Sequence, residues 1–206
     1  MNFFYLPQPT RIWPSSSLFQ TTLASSPHYI GEIKLNGWRL ELHKQSEALI
    51  FYNKHGTIIN TDPRPFLRAF SDVPDGSIFD GELVDKRTKD TKNVIVFWDC
   101  MFWGDRDIRN LPLSERKKFL EPFEPAPEKI TSGSLERGLV YHIRQHKQDL
   151  VKFYETTVAK DDPLEEGIVV KDLHSKYEYS PRRSFNTARW FKIKKIQDSA
   201  LIGRER

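Results

Sequence analysis

Apolar Trp38, Leu40 and Leu42 alternate with polar Arg39, Glu41 and His43, and this run begins directly after the turn-forming pair Asn36-Gly37. A period of two places one set on each face of a strand and cannot lie along one side of a helix. Residues 29–34 and 48–53 flank the run as further strands, with Lys54-His55-Gly56 as the next turn, and Asn36-Gly37 suits a tight hairpin. Residues 77–84, 93–101, 168–171 and 189–196 supply later strands, of which 93–101 is apolar enough to be buried on both faces. Helical spacing is confined to 63–70, to 117–119 behind a Ser114 cap, and to Leu150, Val151 and Tyr154 within 145–160. Strands that do not alternate regularly with helices predict an α+β fold built from hairpins, not a βαβ plan.

A chain of 206 residues with 38% hydrophobic content can bury one sizeable core and predicts one domain. Pro7, Pro9, Pro14 and Pro27 interrupt residues 1–28, which are expected to run extended over the domain surface, and 121–138 is expected to be a loop. The lone cysteine, Cys100, cannot form an internal disulfide and suits a reducing compartment. The first residues lack a basic leader and are broken by Pro7, so neither a signal peptide nor a membrane span is expected. The expectation is a monomer in the cytoplasm, nucleoid or nucleus. A net charge of +4, from 32 bases and 28 acids, leans toward a phosphate-rich partner.

Neither G-x-G-x-x-G nor a P-loop occurs, so any nucleotide chemistry must use side chains. Lys34 ends a strand at a tight turn, where an amine can be fixed at a pocket floor or can simply be a surface residue. Lysine attacks phosphorus only as the free amine, a form favoured by nearby cations such as Lys192 and Lys194 or by a metal ion. The run Phe79-Asp80-Gly81-Glu82-Leu83-Val84 puts Asp80, Glu82 and Val84 on one face, and Glu165-Glu166-Gly167-Ile168 repeats an acid-glycine-strand pattern. Such carboxylates point to solvent, contact ribose or hold a hard cation, and their repetition favours the last. Among Phe97, Trp98, Phe102 and Trp103 most must be core, leaving room for one base-stacking ring. Alternation places Lys192 and Lys194 together, opposite Phe191 and Ile193, where they can clamp a phosphate. His142 and His146 could share a helix face, but no third ligand follows at zinc-site spacing.

In this order, Glu32 to Arg39, Phe79 to Val84, Trp98-Asp99, Glu166 to Lys171 and Trp190 to Lys194 resemble the motifs of ATP-dependent DNA ligases. These enzymes belong to the covalent nucleotidyltransferases, which include RNA ligases and mRNA capping enzymes. The resemblance runs from Glu32 to Lys195 and implies antiparallel sheets, flanked by helices, around a nucleotide cleft. It implies that Lys34 takes AMP from ATP as a phosphoramide, with Glu32 near the adenine and Trp98 stacked on it. Arg39 would contact ribose or the nick, Glu82 ribose or metal, and Glu166 the metal, Mg²⁺ or Mn²⁺. Lys192 and Lys194 would hold the α-phosphate, and Arg183 of Arg183-Ser184 would meet the nucleic acid, nicked double-stranded DNA or alternatively RNA.

Three departures accompany the resemblance. Asn36 replaces the motif aspartate, Lys54 of Asn53-Lys54-His55-Gly56 replaces an arginine, and residues 200–203 resemble only the entry to the family's oligonucleotide-binding barrel. Residues 1–206 are therefore expected to form an adenylation domain without that barrel. The alternatives are an RNA ligase, a capping-type enzyme, or a nucleotide- or nucleic-acid-binding module that performs no chemistry.

Overall fold

The computed structural model describes residues 3–84 and 91–196. Among these, the strands are β1 (Pro7–Arg11), β2 (Tyr29–Leu35), β3 (Trp38–Gln45), β4 (Ala48–Asn53), β5 (Ile78–Val84), β6 (Val94–Trp103), β7 (Arg106–Asp107), β8 (Glu124–Pro125), β9 (Leu139–His142), β10 (Glu165–Asp172) and β11 (Phe185–Lys194). A smaller sheet has the order β1-β11-β10-β2, and a larger one the order β4-β3-β5-β6-β9-β8 with β7 paired to β6. Helix α1 (Leu113–Arg116) runs into a 3₁₀ turn, Lys117–Leu120, and α2 (Leu150–Ala159) precedes β10. No helix of the described residues is long and apolar enough to cross a membrane.

Each sheet buries one face under helices. Leu40, Leu42, Phe79, Leu83 and Phe97 of the larger sheet pack with Phe66 and Phe70 of a 3₁₀ helix, Arg64–Phe70. Ile168, Val170 and Ile193 of the smaller sheet pack on Leu150 and Tyr154 of α2 and on Phe19. The alternation that buries these residues sends the intervening ones to the opposite faces, which meet across a cleft.

The α+β class is as expected, but the sheets are mixed: β1 with β11, β6 with β9 and β8 with β9 run parallel. The proline-rich lead-in is part of the fold. Its β1 forms an edge of the smaller sheet, where proline's missing N–H is tolerated, and Leu6, Phe19 and Leu23 are buried. Asn36-Gly37 does not close a hairpin, because β2 pairs with β10 while β3 pairs with β4 and β5; the pair is a corner between the sheets. Its Gly37 admits no side chain, since a Cβ would lie 2.6 Å from the Leu83 carbonyl oxygen.

Ser114 does not cap its helix, which starts one residue earlier behind Pro112, with no side-chain cap. The expected loop at 121–138 contains β8, and His142 lies on β9 while His146 follows in a loop, so they share no helix face. Residues 200–203 lie outside the described residues.

Candidate active site

Strand register sets the floor of the cleft. Lys34 pairs with Gly167 and Gly167 with Lys194; on the next cleft-facing row, Glu32 pairs with Val169 and Val169 with Lys192. Cross-strand partners share a face, so the two rows present four charged side chains to the larger sheet. The middle of the first row is bare. Gly167 has φ +136°, and a Cβ there would overlap the Ile193 carbonyl oxygen, so this gap between two lysines is fixed by the backbone.

The larger sheet contributes Arg39 on β3, Glu82 opposite it on β5, and Trp98 on β6. These groups, with Lys34, Lys54, Lys192 and Lys194, line a cavity of about 410 Å³, a size suited to a nucleotide. Glu166 stands beside Lys34, its Oε2 2.5 Å from Lys34 Nζ and 2.8 Å from Lys194 Nζ. Burial raises the Glu166 pKa, but hydrogen bonds and charge from the two lysines more than offset this and hold it below the usual range. The cations expected around Lys34 are thus in place, with a carboxylate between two of them. Lys192 is driven down first by burial and then by the charges of Lys34, Lys194, Arg11 and Arg39.

Burial pushes Glu82 up to about 7, against the pull of Lys34, Arg39 and a hydrogen bond from the Gly37 N–H, and the Glu166 charge adds to the rise. Two carboxylates that repel across one amine are suited to a divalent cation. No group of three or more His, Cys, Asp or Glu able to hold a metal occurs among the described residues. Glu82 and Glu166 are oxygen donors of the kind a magnesium-like ion takes, and such an ion would draw its remaining ligands from water and phosphate.

Glu32 lies at the Trp98 end of the cavity, with its carboxylate shared between Lys117 and Lys171, the latter at 2.7 Å. Burial raises its pKa, but the two ammonium groups bring it below the ordinary value. Lys171 Nζ sits 5.4 Å from the Trp98 ring and 4.6 Å from the Trp190 ring. Lys171 could have been found from the sequence, because it is two residues beyond Val169 on the same strand face. Lys117 carries no local signal; only the packing of its 3₁₀ turn brings it to Glu32.

Arg39 is held from behind. Its Nε and Nη2 grip Asp80 at 3.0 and 2.7 Å, and its Nη1 donates to the Pro7 carbonyl at 2.6 Å. Burial opposes the charge on Arg39, but Asp80 keeps it firmly protonated. Behind Trp98, the wholly buried Asp99 and Arg116 form a bidentate pair at 2.8 and 2.9 Å that ties β6 to α1. Asn36 donates through Nδ2 to the Pro163 carbonyl at 3.2 Å, a bond that the motif's usual aspartate cannot make. Arg183 lies in the exposed loop between β10 and β11, outside the cavity lining.

A two-sheet fold with a lysine at the crossing, carboxylates beside it and a basic cleft defines a nucleotidyltransferase-type domain. Residues 82–194 match the ATP dependent DNA ligase domain, and the chain belongs to that family. It is 28% identical over 185 residues to the SPbeta prophage-derived DNA ligase-like protein LigB of Bacillus subtilis (strain 168), covering 81% of this chain and 61% of that protein. It is 26% identical to the DNA ligase of Monkeypox virus, covering 80% of this chain but 31% of the viral protein. Among solved structures, a mycobacterial DNA ligase D complexed with ATP and MES has a TM-score of 0.65 at 16% identity, covering 93% of this chain and 61% of that one. The ATP-dependent DNA ligase of bacteriophage T7, in complex with ATP, has a TM-score of 0.56 at 16% identity, covering 92% and 68%.

Proposed function

We propose that this chain is the adenylation domain of an ATP-dependent DNA ligase, with Lys34 as its nucleophile and nicked double-stranded DNA as the final acceptor. The supporting observation is the Lys34 amine, fixed at the sheet crossing and facing a cavity lined by Arg39, Lys54, Lys171, Lys192 and Lys194. That excess of cations matches a polyphosphate substrate.

Lys34 Nζ, freed of its proton, forms a bond to the α-phosphorus of ATP while the bond to the pyrophosphate oxygen breaks. Lys192 and Lys194 hold the α-phosphate oxygens from the next strand, and Trp98 stacks on the adenine. A divalent cation at Glu82 and Glu166 supplies charge neutralisation at phosphate oxygens when bound. The Glu166 contact with Lys34 has to open before attack, and the incoming phosphates compete for the same lysines. AMP then passes from Lys34 to a 5′-phosphate oxygen, and a 3′-hydroxyl displaces it to seal the strand.

Intact-mass measurement after incubation with ATP and Mg²⁺ tests the first step. The expected result is a single AMP adduct on the native chain and none on Lys34→Ala; an undiminished adduct on the variant refutes the assignment of Lys34.

A further inference from the structure

We propose that the lead-in strand β1 carries a phosphate subsite of the cleft, in which the Gln8 side-chain amide donates to an anionic phosphate oxygen; this rests on the nucleotidyl-transfer reading above. Gln8 lines the cavity, yet its Nε2 is buried with no hydrogen-bond partner among the described residues. Buried amide donors are normally paired, so an unpaired one beside a cavity favours a turn of the Gln8 side chain that brings Nε2 to a ligand acceptor. The acceptor chemistry follows from the neighbours. The cavity lining also includes Arg39, Lys54 and Lys192, and Arg39 is tied to the Pro7 carbonyl, one residue before Gln8. An oxygen arriving there enters a positive field, which favours phosphate over a neutral hydroxyl.

Gln8 is held in position by contacts on either side of it. Tyr5 N–H donates to the Ser180 carbonyl at 3.0 Å, Thr10 Oγ1 donates to the Thr187 carbonyl at 2.7 Å, and Ile12 N–H donates to the Lys192 carbonyl at 3.1 Å. The last bond couples the lead-in directly to one of the phosphate-facing lysines. A segment that sequence alone places on the surface thus presents a donor to the same ligand as β11.

The test is equilibrium binding followed by tryptophan fluorescence, since Trp38, Trp98 and Trp190 line the cavity. The probes are an ATP analogue with a methylene at the α,β-bridge, AMP, adenosine, and nicked duplexes bearing either a 5′-phosphate or a 5′-hydroxyl. Native chain, Gln8→Leu and Gln8→Glu are compared. Gln8→Leu is expected to weaken a phosphate-bearing ligand about tenfold, and Gln8→Glu to weaken it about tenfold further by like-charge repulsion, with adenosine unchanged. Loss confined to the ATP analogue assigns the subsite to the β- and γ-phosphates, and loss shared with AMP assigns it to the α-phosphate. Loss confined to the 5′-phosphorylated nick assigns the subsite to nucleic acid. Gln8→Glu binding every phosphate ligand as tightly as the native chain overturns the proposal, as does an equal loss for adenosine. No bond forms in these titrations, so a missing lysyl adduct would refute the catalytic reading separately.

Discussion

Replacing Asp99 by leucine removes the one ion-pair partner, among the described residues, of a guanidinium that is wholly out of solvent. Arg116 would keep its bonds to the Leu111 and Ser175 carbonyls, at 2.6 and 2.8 Å, but both bonds to carboxylate oxygens would be lost. An uncompensated buried charge costs about 3–5 kcal/mol, a large share of the roughly 5–15 kcal/mol that separates folded from unfolded chains. For a chain of this size that corresponds to a fall in Tm of about 6–20 °C. The double variant Asp99→Leu/Arg116→Met removes both desolvation penalties and is expected to recover most of the loss. The residual deficit comes from the Leu111 carbonyl, which loses its donor, and from the Cys100 N–H, which loses the Asp99 Oδ1 it donates to at 2.9 Å. Urea unfolding of the native chain, both single variants and the double variant gives the coupling directly. A cost below about 1 kcal/mol for Asp99→Leu, or a double variant as unstable as the sum of the singles, refutes the assignment of this pair as the tie between β6 and α1.

Gly167→Ala is expected to abolish AMP capture and to lower stability by several kcal/mol, because a Cβ there meets the Ile193 backbone; wild-type-like urea midpoints would contradict it. Glu82 titrates near 7 in the folded chain against 4.5 when free. Between those values the folded state holds a proton that the unfolded state has lost, so stability falls as pH rises through the window. Glu82→Gln should remove this slope and be up to about 3 kcal/mol more stable than the native chain at pH 8, measured by unfolding across pH 4–8, while losing activity. Asn36→Asp gives up the donor to Pro163 and should cost about 1 kcal/mol in urea unfolding; an unchanged midpoint would show that this bond contributes nothing. Trp98→Leu should weaken nucleotide binding by about 1–3 kcal/mol through loss of stacking, and unaltered affinity in a direct titration would exclude its role at the base.

The main strands and the order of the charged residues were legible because alternation is a local property. Residues 38–43 announce their two faces, and the spacing of Lys192 and Lys194 needs no tertiary information. Pairing is not local. Asn36-Gly37 has the chemistry of a hairpin turn, but β2 pairs with β10, far along the chain, and β3 with β4 and β5, so the turn became a corner. The prolines of the lead-in argue correctly against a central strand and say nothing against an edge strand, which is what β1 is. β9 escaped notice because its four residues gain their stability from a parallel neighbour, β6, rather than from their own pattern. At the site, Lys34, Glu82, Trp98 and the lysine pair come together as the motifs implied. Lys117 and Gln8 reach the cleft only through packing, and Arg183 stays outside it. The polar alternation of β3 does not tell its faces' burial: Glu41 and His43 are buried, with Glu41 accepting the Phe4 N–H from the lead-in at 3.1 Å.

The corner at Asn36-Gly37 makes the two walls of the cleft neighbours in sequence, since Lys34 and Arg39 stand five residues apart on different sheets. A connection that short spans at most about 18 Å, which bounds how far apart the two walls can lie at this corner. Like the spine of a book, the corner sets the spacing of the groups beside it, whereas the groups further out owe theirs to packing such as that of Trp190 on Ile78 and Met101. Lys34 lies at that spine and Gly37 packs against Glu82 and donates its N–H to it, so the spacing of these groups is set by the chain itself.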